Sequence, residues 1–122
     1  MSVLMVDDDR EILEFYKNAL EDYGIKDVDL ANDGAEAWAM INNKPYYFVI
    51  TDLRMPNMDG ISLINKIKND YQGQEPTILV LSGDEELLHG VKRTFESINI
   101  ISKPITDEGI RELARTLGAG KN

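Results

Sequence analysis

Five short apolar runs, each followed by a stretch with helical spacing, constrain the fold of this 122-residue chain more than any other feature. The runs are Ser2 to Val6, Ile25 to Leu30, Tyr47 to Ile50, Thr77 to Leu81 and Ile98 to Ile101. Each is followed within three residues by Gly, Pro, Asn or Asp, as strands are. Between them, apolar side chains recur at three- and four-residue steps, beginning with Ile12, Leu13, Tyr16, Ala19, Leu20 and Tyr23, which puts them on one helix face. Strands alternating with helices need crossover connections, so the expected fold class is α/β, with a doubly wound five-stranded parallel sheet covered on both faces.

Asp9 and Gly24 mark the ends of the first helix, by side-chain capping and by the left-handed turn that glycine allows. Further helices are expected over Ala35 to Ile41, Gly60 to Tyr71 and Glu85 to Phe95, with a last one capped by Thr106. The third should face inward through Ile61, Ile64, Ile67 and Tyr71. Gly90 lies inside the fourth and costs about 1 kcal/mol relative to Ala, so that helix should be the weakest.

The stretch from Tyr46 to Gly60, YYFVITDLRMPNMDG, ends its apolar run at Asp52 and continues with Pro56, Asn57 and Asp59-Gly60, which are loop residues. Asp52 therefore stands at a strand tip, the place where open α/β sheets bind ligands. The other tips are similar. Asp7 and Asp8 follow the first strand, Ser82 the fourth and Lys103 the fifth, all on the one edge that parallel strands share. Three carboxylates brought together repel, and one takes up a proton unless a cation intervenes. With only oxygen donors the cation should be hard, Mg²⁺ or Mn²⁺. Asp52 is then a candidate nucleophile for a phosphoryl group, with the cation, Lys103 and the Ser82 hydroxyl each taking one phosphoryl oxygen.

Composition narrows the alternatives. The chain has no cysteine and a single histidine, His89, which excludes disulfides, thiolate sites and multi-histidine metal sites. Thirteen Lys and Arg against 22 Asp and Glu give a net charge of −9 with no basic stripe, so direct nucleic-acid binding is not expected. No apolar run approaches the ~18 residues of a membrane span, and no signal peptide is evident, which fits the cytosol.

With these residues in place, the chain resembles the CheY-like response-regulator receiver domains of two-component signalling over roughly residues 2 to 117. The matching pieces are VDDD at 6–9, TDLRMPNMDG at 51–60, LSGD at 81–84 and SKP at 102–104. The resemblance implies a flavodoxin-like (βα)5 fold with strand order 2-1-3-4-5. It implies that Asp52 is the phosphoacceptor, that Asp7, Asp8, Asp52 and the backbone carbonyl of Arg54 hold Mg²⁺, and that Ser82 and Lys103 are the switch hydroxyl and the family lysine. The implied partners are a histidine kinase or phosphotransfer protein and a downstream target bound through the surface around helix four, strand five and helix five. Homodimerisation through that surface is a further implication. Residues 1–122 then read as one receiver domain, with 118–122 a frayed tail or linker stub.

Two departures matter. Ile100 stands where the family often has Tyr or Phe, so an aromatic rotamer switch is absent there. Arg54 and Asp84 stand two positions after Asp52 and Ser82, and the expectation is that they pair across the mouth of the site and limit attack by water. Two other functions compete with a phosphorylated switch. One is a degenerate receiver that only binds proteins. The other is a haloacid-dehalogenase-type phosphatase, which usually carries a second Asp where this chain has Arg54.

Overall fold

The alternation is realised from one end of the chain to the other in a computed structural model, which describes residues 2–95, 98–102 and 106–118, and at Ser102 the backbone only. The elements run β1 (Val3–Val6), α1 (Arg10–Asp22), β2 (Val28–Ala31), α2 (Gly34–Asn43), β3 (Phe48–Thr51), α3 (Gly60–Asp70), β4 (Thr77–Ser82), α4 (Glu85–Thr94), β5 (Asn99–Ser102) and α5 (Asp107–Thr116). All strand pairs are parallel, in the order β2-β1-β3-β4-β5. This is the doubly wound flavodoxin-like arrangement.

Side-chain alternation along the strands divides the core into two layers. Val3 and Met5 pack with Leu13, Leu20 and Leu113 of α1 and α5, while Leu4 and Val6 pack with Ile41, Leu63 and Leu88 of α2, α3 and α4. Strands buried on both faces read as unbroken apolar runs, which is why β1, β3 and β4 carry almost no polar residue. Among the described residues, no helix is long and apolar enough to cross a membrane.

The second strand differs from the expected Ile25 to Leu30 and begins only at Val28. Ile25 is used by α1 instead. Gly24 has φ +85°, its N–H donates to the Glu21 carbonyl at 2.9 Å, and the Ile25 N–H donates to the Leu20 carbonyl at 3.0 Å. This is a Schellman ending, in which the residue after the glycine folds back onto the helix, and Ile25 packs with Leu20 accordingly. Other differences are of one or two residues. Tyr47 precedes β3 and is 63% exposed, β4 and β5 run on to Ser82 and Ser102, and α2 extends from Gly34 to Asn43. In α3 the fully buried residues are Leu63, Ile64 and Ile67, whereas Ile61 and Tyr71 lie at the margin. The capping expectations hold: Asp9 and Thr106 accept backbone N–H groups from the first turn of their helices, and Asp84 caps α4 in the same way.

Candidate functional site at the sheet edge

Hydrogen bonding continues one residue past β1 and β3. The Asp7 N–H donates to the Ala31 carbonyl at 3.2 Å and the Asp52 N–H to the Val6 carbonyl at 3.0 Å. With Val6 in register with Thr51, this brings Asp7 alongside Asp52. Asp7, Asp8 and Asp52 each place a carboxylate oxygen within 4.8 Å of the others. Asp7 is buried, Asp52 half-buried and Asp8 exposed. Although Asp8 is exposed, partial loss of water around its carboxylate first, and then the neighbouring Asp7 carboxylate, push the Asp8 carboxyl above its ordinary value, with a smaller push from Asp52. Three acids this close, with oxygen donors only, match a hard divalent cation.

Local bonds fix the directions of these side chains. The Leu53 N–H donates to Asp52 Oδ1 at 2.7 Å, and the Asp9 N–H donates to Asp7 Oδ1 at 3.0 Å. Asp9 itself caps α1 through the N–H groups of Glu11 and Ile12. Beneath Asp52, the first turn of α3 approaches so closely that a Cβ on Gly60 would run into the Asp52 carbonyl oxygen and the Leu53 Cα. The Gly60 N–H donates to the Leu53 carbonyl at 2.9 Å.

Across a cleft from Asp52 lies Ser82, buried at the end of β4, with Gly83 and Asp84 after it. The Asp84 N–H donates to Ser82 Oγ at 3.1 Å, and the hydroxyl keeps its own proton to donate. Arg54 lines the same cleft, and its guanidinium pairs with Asp84 as the spacing led one to expect. The helix cap at the Leu87 N–H, and then Arg54, hold the Asp84 carboxyl below its ordinary value.

The structure thus unites Asp7, Asp8, Asp52, Ser82 and Arg54 on one edge. Lys103, together with Pro104, lies outside the described residues. Ile100 is half-buried in β5 and packs against the core beneath α4. Sequence reasoning passed over one contact. The Asn57 side-chain amide donates to Asp33 Oδ2 at 2.7 Å, tying the loop after β3 to the cap of α2. The only local signals were two turn-forming residues, and nothing in them joined positions so far apart.

The family model of the response regulator receiver domain matches residues 3–115. A chemotaxis protein, CheY1 of Helicobacter pylori, is 33% identical over 116 residues, covering 92% of each chain. A CheY homolog of Campylobacter jejuni is 32% identical over 125 residues, covering 98% of this chain and 95% of its own. Among solved structures, the chemotaxis response regulator CheY4 of Vibrio cholerae superimposes with a TM-score of 0.81 at 26% identity, over 95% of this chain and 97% of its own.

Proposed function

The chain belongs to the response regulator receiver domain family, and from that premise we propose that it is a phosphorylation-dependent switch in a two-component relay. The observation that carries this reading is the convergence of the Asp7, Asp8 and Asp52 carboxylates within 4.8 Å at the sheet edge, across a cleft from Ser82. Asp52 is the phosphoacceptor. Its carboxylate oxygen attacks the phosphorus of a phosphohistidine on a histidine kinase or phosphotransfer protein. The N–P bond breaks, the electron pair returns to the imidazole nitrogen, and that nitrogen takes a proton from solvent. The Leu53 N–H holds the plane of the Asp52 carboxylate for this attack.

Asp7, Asp8, Asp52 and the Arg54 carbonyl would hold Mg²⁺, which supplies charge neutralisation at a phosphoryl oxygen. The Ser82 hydroxyl and Lys103 then donate to the other two phosphoryl oxygens. The Asp84 N–H already engages Ser82 Oγ, so a shift of the hydroxyl toward a phosphoryl group is felt at the start of α4. With Ile100 in place of an aromatic residue, the signal passes through residues 82–86 and α4 to the face formed by α4, β5 and α5. That face receives the downstream partner or a second copy of the chain. Residues 1–122 act as one receiver domain in the cytoplasm, and the protein catalyses only its own phosphorylation and dephosphorylation.

Intact mass after incubation with Mg²⁺ and acetyl phosphate tests the reading. The parent should gain one phosphoryl group and Asp52→Asn should gain none. If neither gains mass and the parent also fails to form a beryllofluoride complex, the chain is a phosphorylation-independent binding module. Ile100 is the one residue that favours this second reading.

A further inference from the structure

We propose that Asp33 and Asn57 are positioning residues for the cation site: together they hold the loop after Asp52 so that Asp52 and Arg54 meet Asp7 and Asp8. The inference rests on the divalent-cation reading given above.

The loop 53–59 leaves the site at Asp52 and returns to it at Gly60, where the Gly60 N–H closes on the Leu53 carbonyl at 2.9 Å. Its far end is fastened to α2 at two consecutive points. The Asn57 Nδ2 donates to Asp33 Oδ2 at 2.7 Å, and the Gly34 N–H donates to the Met58 carbonyl at 2.9 Å. Gly34 permits the second contact because a Cβ there would collide with that carbonyl. Two bonds between adjacent pairs of residues fix an angle as well as a distance.

Asn57 is also the one non-glycine residue with a left-handed backbone among those described, at φ +68°. The Met58 N–H closes a three-residue turn around it onto the Pro56 carbonyl at 2.8 Å. Asn adopts this region more readily than most residues, and here its side chain is locked as well. Asp33 serves both partners. Oδ1 caps α2 at the Glu36 N–H, 2.8 Å away, and Oδ2 takes Asn57. Arg54 is therefore strung between a closed near end and a clamped far end. Loss of such outer support typically weakens metal binding about 10- to 100-fold without touching a ligand.

The test is calorimetric titration of the unphosphorylated protein with Mg²⁺, alongside thermal melts without metal. Asn57→Gly keeps the left-handed backbone and deletes the clamp. It should bind Mg²⁺ about 10-fold more weakly than the parent with little change in the metal-free melt. Asn57→Asp sets two carboxylates against each other and should also bind more weakly. Adding Asp33→Asn to it reverses donor and acceptor, restores the total charge and keeps a good helix cap, and should return affinity to within roughly threefold of the parent.

Parent-like binding by Asn57→Gly overturns the proposal, as does a double variant no better than Asn57→Asp alone. If Asn57→Gly does not fold, the comparison of Asn57→Asp with the double variant decides. If the parent itself binds no Mg²⁺, the cation reading fails and this inference falls with it.

Discussion

Arg54 and Asp84 are joined across the cleft by two nitrogens on one oxygen, Nε at 2.8 Å and Nη2 at 2.6 Å from Asp84 Oδ2. The other oxygen, Oδ1, accepts the Leu87 N–H at 3.0 Å and caps α4. One carboxylate therefore links the loop after Asp52 to the helix after Ser82.

Arg54→Ala should leave folding stability nearly unchanged, because the arginine side chain is 73% exposed and such pairs contribute at most about 1 kcal/mol. The phosphoryl group on Asp52 should be lost faster, by up to about fivefold, since the guanidinium no longer screens it from water. The decay of the phosphorylated mass after donor removal measures this. Decay at the parental rate would remove the shielding role.

Gly60→Ala should damage both stability and phosphorylation. Its Cβ is directed at backbone atoms of Asp52 and Leu53, which cannot rotate away as a side chain would. A loss of roughly 3 kcal/mol in urea denaturation is expected, together with slower uptake of phosphate from acetyl phosphate. A variant as stable as the parent would show that the loop yields more easily than its packing suggests.

Gly90→Ala should stabilise the protein by up to about 1 kcal/mol, read as a higher urea midpoint at unchanged slope. The site lies inside α4, and an added Cβ would meet nothing within 4 Å. The gain comes from the lower entropy of the unfolded chain. If α4 is the element that responds to phosphorylation, the same change should weaken the shift in amide exchange that beryllofluoride induces there.

Tyr46→Phe should cost about 1 kcal/mol near neutral pH, and the cost should shrink at both extremes. The Tyr46 hydroxyl donates to Asp29 Oδ2 at 2.6 Å, and Lys44 Nζ lies 3.0 Å from the same oxygen. The tyrosine first, then Lys44, holds the Asp29 carboxyl below its ordinary 3.8, so this stabilisation exists above that value and is lost as pH falls through the lower folded one. Burial first, and then Asp29, raises the Tyr46 phenol above its ordinary 10.0, so its share exists below pH 10 and fades as pH climbs beyond it. Urea midpoints of parent and variant across the pH range check both limbs. A constant difference from pH 3 to pH 11 would contradict the assignment.

Helix positions and caps were legible because they are local. Asp9, Asp84 and Thr106 cap helices through N–H groups two or three residues on, a chemistry any short window contains. The meeting of Asp7, Asp8 and Asp52 was legible for a related reason, since parallel strands carry their tips to one edge and these acids stand at those tips. Ile25 was misread as strand because an apolar residue after a helix serves equally well as a strand residue or as the contact that folds back on Leu20. The fully buried Leu63 was passed over because an amphipathic pattern gives a face but not its centre, and the centre of α3 is set by how it leans on the sheet.

By itself the sequence determined that strands and helices alternate, which ends cap them, and which acids share an edge, because hydrophobic period and capping act over a few residues. The strand order came from family resemblance rather than from periodicity. Only the tertiary structure decided that three carboxylate oxygens lie within 4.8 Å, with what geometry Arg54 meets Asp84, the partner already expected, and that Asn57 reaches Asp33. Those contacts join residues 30 and 24 positions apart. They exist because placing β1 between β2 and β3, and β4 beside β3, sets the distances between loops that no local pattern encodes.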